Sequence, residues 1–454
     1  MLEVYEYLDK NKDKYLHQLI EFLKYPSISS KSEHNQDVRN CANWLVDHIR
    51  SIGGENVRLY ETGGHPVVYA DFLHSENAPT ILVYGHYDVQ PVEPLELWNN
   101  KPFEPIVIDK KIFARGASDD KGQLFIHLKA FESILKATGT FPINIKFIFE
   151  GEEEAGSNHL NDFIKNNTEL LRCDSVVISD TEWFDFDLPS ICYALRGIAF
   201  VEVKVKGPSR DLHSGSYGGS VDNPAEVLAN IISRLKDKYG RITIPKFYDG
   251  VLELTQEERD EFARLPFNEK NYCESLGIKH TFGEIGFSTL ERIWARPTLE
   301  VNGIYGGYTG EGAKTIIPAE ATAKISMRLV PKQNAEHIVE LLINYLQEIA
   351  PPTVELEVKA LHGGNPVITP IDTVWMQKAK VALKNAFGKE PVFIREGGSI
   401  PICETFQNVL DASPVLIGFG LPSDNIHSPN ENFSLDNFLG GIIAIANYYM
   451  LLKD

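Results

Sequence analysis

Over its first 195 residues the chain alternates short apolar runs with longer stretches of helical periodicity. Residues 67–73, 80–84, 143–149 and 174–179 read as strands, each a brief apolar run, and residues 121–136 as a helix between the second and third. The N-terminal segment places Leu16, Leu19, Ile20 and Leu23 on one stripe, which predicts an amphipathic helix. Strands that alternate with helices predict an α/β architecture with a mostly parallel central sheet covered on both faces. Ligands of such sheets sit beyond the carboxyl ends of the strands.

The texture changes after Arg196. Residues 200–207 (FVEVKVKG), 321–331 (ATAKISMRLVP) and 353–361 alternate apolar and polar positions, as half-exposed strands do. Helical patterns at 224–236 and 335–349 accompany them, with a charged stretch between. This predicts an inserted α+β domain over residues 196–361, flanked by the two parts of the first domain, 1–195 and 362–454. A helix at 373–387, a buried strand at 415–420 (VLIGFG) and a C-terminal helix would resume the first domain.

A length of 454 residues agrees with two domains, because single cores stop growing near ~250–300 residues. The formal charge of -19 disfavours nucleic acid as a partner, and no Lys/Arg-rich run opposes that reading. Part of the acidic excess could be local, since carboxylates gathered for cations count as uncompensated charge. Five scattered cysteines without a CxxC pair fit free thiols in a reducing compartment. The longest apolar stretch, residues 438–452, is shorter than the ~20 residues of a membrane span and carries Asn447. A cytoplasmic, non-membrane protein is expected.

Candidate chemistry lies at strand ends. In GHYDVQP (85–91), His86 and Asp88 are two apart and would face the same side of an extended segment. In ARGASDDKG (114–122), Asp119 or Asp120 could serve as a helix N-cap, but two adjacent aspartates exceed what capping requires. EGEEEAGS (150–157) sets Glu152, Glu153 and Glu154 in a row, either as a solvated acidic loop or as metal-facing carboxylates. Asp180 ends a fourth run, and His427 follows a fifth in NIHSPNE. Two imidazoles and three carboxylates on one rim suit two divalent ions with one carboxylate bridging, a donor set of catalytic rather than structural character. GGSIP lacks the closing glycine of a GxSxG nucleophile elbow, which argues against a serine hydrolase.

Taken in order, GHYDVQP, ARGASDDKG, EGEEEAGS, the SD of ISDTEW, RDLHSG and IHSPNE resemble the motifs of the M20 metallopeptidases. RPTLEVNGI, GGYTGEGAKTIIPA, MRLVP and REGGSIP are most similar to the branch that holds carnosinases and nonspecific cytosolic dipeptidases. The resemblance implies a zinc-peptidase-like catalytic domain with an inserted lid and dimerisation domain. It implies two Zn²⁺ per chain, with Mn²⁺ or Co²⁺ as substitutes. His86, Asp119 and Asp180 would hold one ion, and Asp119, Glu154 and His427 the other. Glu153 would be the general base acting on water between the ions, and Asp88 would orient His86. The resemblance further implies a homodimer in which His213 reaches the other subunit's active site. Arg328 would bind the C-terminal carboxylate of a small peptide substrate, with Gly398, Ser399 and His362 as further substrate contacts. Hydrolysis of dipeptides is the expected activity, and cleavage of N-acyl amino acids or succinylated diamines is the alternative.

Overall fold

Runs of residues buried on both faces build the centre of the first unit. In the computed structural model, which describes residues 1–398 and 400–453, Thr80–His86, Asn144–Glu150 and Ser175–Ile178 are strands with almost every position buried. Near-continuous apolar sequence is what a sheet covered on both faces demands. Pairing is parallel from Asn144–Glu150 through Thr80–His86 and Ser175–Ile178 to Pro414–Leu416. Antiparallel neighbours flank this centre: Val67–Phe72 and then Glu55–Tyr60 on one side, Ser190–Leu195 on the other. The fold is α/β, with a mixed sheet that is parallel at its core.

The parallel register aligns His86 with Glu150 and Tyr84 with Ile178, so these strands end together. The helix Lys121–Thr138 has fourteen buried residues, because it is enclosed rather than lying on the surface. The C-terminal helix Leu435–Leu451 packs against it at Gly441, where an added Cβ would lie 2.6 Å from Ile126 Cδ1. No helix among the described residues is long and apolar enough to cross a membrane.

The second unit is a four-stranded antiparallel sheet in the order Thr298–Gly306, Glu320–Leu329, Gly197–Lys206, Glu355–Gly364. Gly197–Lys206 alternates buried and half-buried positions along its whole length. The buried face carries Val201, Val203, Ala323 and Ile325 against Leu228 and Ile231 of the helix Pro224–Ser233 and Leu342 and Leu346 of the helix Ala335–Ile349.

Several expectations shift. The second unit comprises Ala194–Ile368 together with Arg395–Pro401, so the return point is later than residue 361. The REGGSIP loop, expected in the first domain, groups with the second unit because its backbone is bonded there. Arg196 N donates to Gly398 O at 3.1 Å, Arg196 Nε donates to Gly397 O at 3.1 Å, and Arg395 pairs with Glu258. The strand expected over 415–420 is Pro414–Leu416 only. Beyond it Phe419 N donates to Gln123 Oε1, and Gly420 returns only as an isolated parallel bridge to Glu182, its N donating to Thr181 O and its O accepting Trp183 N, so the ladder is interrupted. The charged stretch between the helical patterns holds the helices Gln256–Arg264, Glu269–Leu276 and Thr289–Trp294. Two of them begin with capping boxes, Thr255 with Glu258 and Ser288 with Glu291.

Candidate metal centre

The strand Thr80–His86 delivers His86, fully buried, at its carboxyl end. The imidazole Nδ1 lies 3.1 Å from the carbonyl oxygen of Asp88 and 3.5 Å from its Oδ1. An Nδ1–H donated there leaves Nε2 as the lone-pair nitrogen. Nε2 faces Asp119 Oδ1 at 3.1 Å and Asp180 Oδ2 at 3.9 Å. The Asp88 carboxylate also accepts the backbone N–H groups of Glu153 at 3.2 Å and Glu154 at 3.0 Å. One buried aspartate thus braces both His86 and the acidic turn.

The Asp119–Asp120 pair precedes the helix Lys121–Thr138, and the peptide between them is cis. The capping alternative for these residues fails. Asp120 occupies the N-cap position without a side-chain cap bond, and its Oδ2 instead accepts His86 N at 3.1 Å. Gly122 is required just beyond, since an added Cβ would lie 2.0 Å from Ala117 O. Asp119 is aimed at the two imidazoles: Oδ2 lies 2.8 Å from His427 Nε2, as Oδ1 does 3.1 Å from His86 Nε2. His427 sits on a loop with φ +60°, half-exposed at 54% of its side chain, and also faces Glu154 Oε2 at 3.4 Å. Gln90 Nε2 donates to the same Glu154 oxygen at 2.6 Å.

Two overlapping triads result, His86–Asp119–Asp180 and Asp119–Glu154–His427. In each, one ligand atom per residue lies within 4.8 Å of the others. Their electrostatics are dominated by carboxylates drawn close together. Burial pushes the Glu153 carboxyl well above its ordinary value, with Asp180, Glu154 and Asp119 adding repulsion. Burial and then Asp119 raise Glu154 to about 7. Burial also raises Asp180. Hydrogen bonds to Asp119 and then Glu154 raise His427 to about 10. For His86, burial acts downward, but hydrogen bonds to Asp119, Asp180 and Asp88 outweigh it and raise the imidazole well above its ordinary value. Asp119 moves the other way: burial acts upward, but hydrogen bonds to His427 and then His86 outweigh it and hold its carboxyl below the ordinary range. At the other groups bound protons are favoured where a divalent cation would supply the compensating charge. The oxygen and nitrogen donor set fits such an ion, and no thiolate takes part.

The remaining expected site residues belong to the second unit. His213 is exposed in a short hairpin pairing Leu212–His213 with Ile316–Ile317, and its Nδ1 accepts Gly215 N at 3.0 Å. Nδ1 being the acceptor, Nε2 carries the proton and is a donor. Arg328 is half-buried near the end of Glu320–Leu329, in register with Ile198. Gly398 accepts Arg196 N. Only the backbone of His362 is described, paired with Phe200, and Ser399 lies outside the described residues. Gln90, Asp424 and Glu431 escaped the sequence reading as site residues, although Gln90 stands in GHYDVQP and Glu431 closes NIHSPNE. Membership of the same motifs was the available signal for Gln90 and Glu431; Asp424 stands one residue before NIHSPNE.

An α/β fold with paired N/O triads at the carboxyl ends of its strands defines a metal-dependent hydrolase. The chain belongs to peptidase family M20/M25/M40, which matches residues 82–450. It is 34% identical over 461 residues to a Cys-Gly metallodipeptidase of Schizosaccharomyces pombe, covering 98% of this chain and 97% of that one. It is 30% identical to a Beta-Ala-His dipeptidase of Homo sapiens over 99% of this chain and 92% of that protein. The structure of an M20 family metallo-carboxypeptidase from Sulfolobus solfataricus aligns with a TM-score of 0.86 at 36% identity, covering 97% and 99% of the two chains. The protein is a peptidase, and family and donor set together imply a divalent metal.

Proposed function

We propose that the protein is a di-zinc dipeptidase that hydrolyses dipeptides bearing a free C-terminal carboxylate. The observation that carries this reading is Asp119, whose two oxygens face two different imidazoles at 3.1 and 2.8 Å, the disposition of a bridging ligand. His86, Asp119 and Asp180 would hold one cation, and Asp119, Glu154 and His427 the other, with manganese or cobalt as substitutes. Bound there, such ions polarise a peptide carbonyl and lower the pKa of water.

The chain's own groups do the rest. Glu153, its carboxyl raised well above the ordinary value by burial, takes the proton of the attacking water and returns it to the leaving amine. Asp88 holds the turn that carries Glu153. His213, with Nε2–H free to donate, stabilises the tetrahedral oxyanion from the partner subunit of a homodimer. Arg328 clamps the substrate carboxylate through two parallel N–H donors, with Gly398, Ser399 and His362 as further contacts. The names of the two dipeptidase relatives support the substrate class. The free cysteines support a reducing, cytoplasmic setting.

Purified protein with quantified metal, offered dipeptides, C-terminally amidated dipeptides, N-acetyl amino acids and longer peptides, tests the activity. Two zinc ions per chain and cleavage of free dipeptides alone are expected. Preference for N-acetyl substrates would make it an amidohydrolase, and ready trimming of longer peptides a carboxypeptidase like the archaeal relative. Glu153→Gln keeps its metal and loses about 10²–10⁴-fold in kcat. Mixing Glu153→Gln with His213→Ala then restores activity through mixed dimers, and no restoration removes the trans role of His213.

A further inference from the structure

The loop that carries Asp119 hangs on one buried side chain outside the metal triads. Glu431 is fully buried, and its Oε1 accepts the backbone N–H of Ser118 at 3.0 Å and of Asp119 at 3.1 Å. Its Oε2 accepts Gly116 N at 3.0 Å and Arg115 Nη1 at 2.8 Å. The backbone oxygen of the same residue accepts Ala114 N at 3.1 Å. Five donors from one loop, 114–119, therefore converge on one residue.

Glu431 stands four residues after His427, so the second triad's two ends, Asp119 and His427, meet a common support. Asp424, also buried, adds a parallel tie: its Oδ2 accepts Ser118 Oγ at 2.9 Å and Leu421 N at 2.9 Å. His427 and Asn425 both adopt left-handed φ, so this loop has a conformation that needs anchoring.

We propose that Glu431 is a positioning residue for the shared aspartate: by fixing the peptide of Asp119 against the His427 loop it sets how tightly the cluster holds a divalent cation. A glutamine there cannot substitute. Both carboxylate oxygens face N–H donors, so either orientation of the amide turns its NH₂ against two of them. Arg115 is itself buried, and it keeps a second bond, to Pro91 O at 3.0 Å, on the segment that follows His86. The hydrogen-bonded support of a metal ligand is typically worth about 10–100-fold in metal affinity.

The inference rests on the metal-centre reading, and the test separates the two. Metal-free wild-type protein and Glu431→Gln are titrated with chelator-buffered Co²⁺, read by visible absorption, with the melting temperature of each metal-free protein recorded alongside. Affinity is expected to fall about 10–100-fold, with altered absorption bands in the loaded variant. Equal affinity with an unchanged spectrum overturns the role, however far the melting temperature drops. Should Glu431→Gln not fold, Glu431→Asp decides, since it keeps the charge and draws both oxygens back by one methylene from the donors of the 114–119 loop. There affinity falls by about tenfold, the low end of the range, and an unchanged isotherm overturns the proposal. Wild-type protein that takes up no Co²⁺ defeats the metal-centre reading and this inference with it.

Discussion

Two buried polar clusters of the first unit resemble each other in composition and differ in stoichiometry. Beside the helix Lys121–Thr138, Lys129 Nζ reaches Gln18 Oε1 at 2.8 Å, His48 Nε2 at 2.7 Å and Glu132 Oε2 at 2.6 Å. All three ammonium donors are used. Glu132 receives Lys14 as well, at 2.6 Å, and the ammonium of Lys129 lies 4.6 Å from the Phe125 ring centre. Burial, and then Lys129, lowers His48 to about 2, which keeps its imidazole neutral and able to accept. Charges and bonds close there. At the strand ends, by contrast, Asp119, Asp180, Glu153 and Glu154 confront two imidazoles, and protonation is pushed upward at most of them. Both clusters are ionisable, but among the described residues only the second pairs its carboxylates with imidazoles alone, with no lysine or arginine ion pair. A closed cluster locks helices together, and an open one is built for an ion that arrives from outside.

The largest effect should come from Asp119→Asn, which weakens both triads at once. Metal content after dialysis is expected to fall at both sites and activity to reach background. Two retained ions would show that the triads do not share this ligand. Lys129→Met should behave in the opposite way. Leaving Glu132 and its neighbours without the buried ammonium costs about 3–5 kcal/mol in urea unfolding, with metal affinity unchanged. A parallel loss of metal affinity would mean that the two clusters are coupled.

The smallest effect is the pH dependence of the closed cluster. Lys129 is lowered to about 8 by burial, partly offset by Glu132, from an ordinary 10.5. Between those values the unfolded chain binds more protons than the folded one, so stability rises with pH across that window. The wild type therefore gains on Lys129→Met as pH climbs from 8 to 10.5, and parallel curves would contradict the assignment. His48 acts at the other end: its folded value of about 2 lies below an ordinary 6.5, so it contributes a loss of stability as pH falls below 6.5.

Much of the open cluster was legible in the chain because each part of it sits at a local landmark. His86 follows an apolar strand, Asp119 precedes a helix, and Glu153 and Glu154 follow another strand. Parallel pairing then brings such ends to one rim, as residues 80–86 and 144–150 in register demonstrate. The closed cluster was not legible. Lys14, His48 and Lys129 come from three separate helices, and nothing in their local sequence separates a buried lysine from a solvated one.

The alternation of strands and helices, the change of texture near residue 196 and the candidate cation ligands follow from local pattern, since periodicity and residue chemistry are properties of neighbours along the chain. Tertiary structure alone decided that Asp120 bonds a backbone N–H rather than capping its helix, that Asp88 serves the Glu153–Glu154 turn, and that the REGGSIP loop joins the second unit. It alone set Glu431 beneath Asp119, 312 residues away in sequence. A hydrogen bond depends on distance and direction in space, and residues far apart along a chain acquire both only when the whole fold has formed.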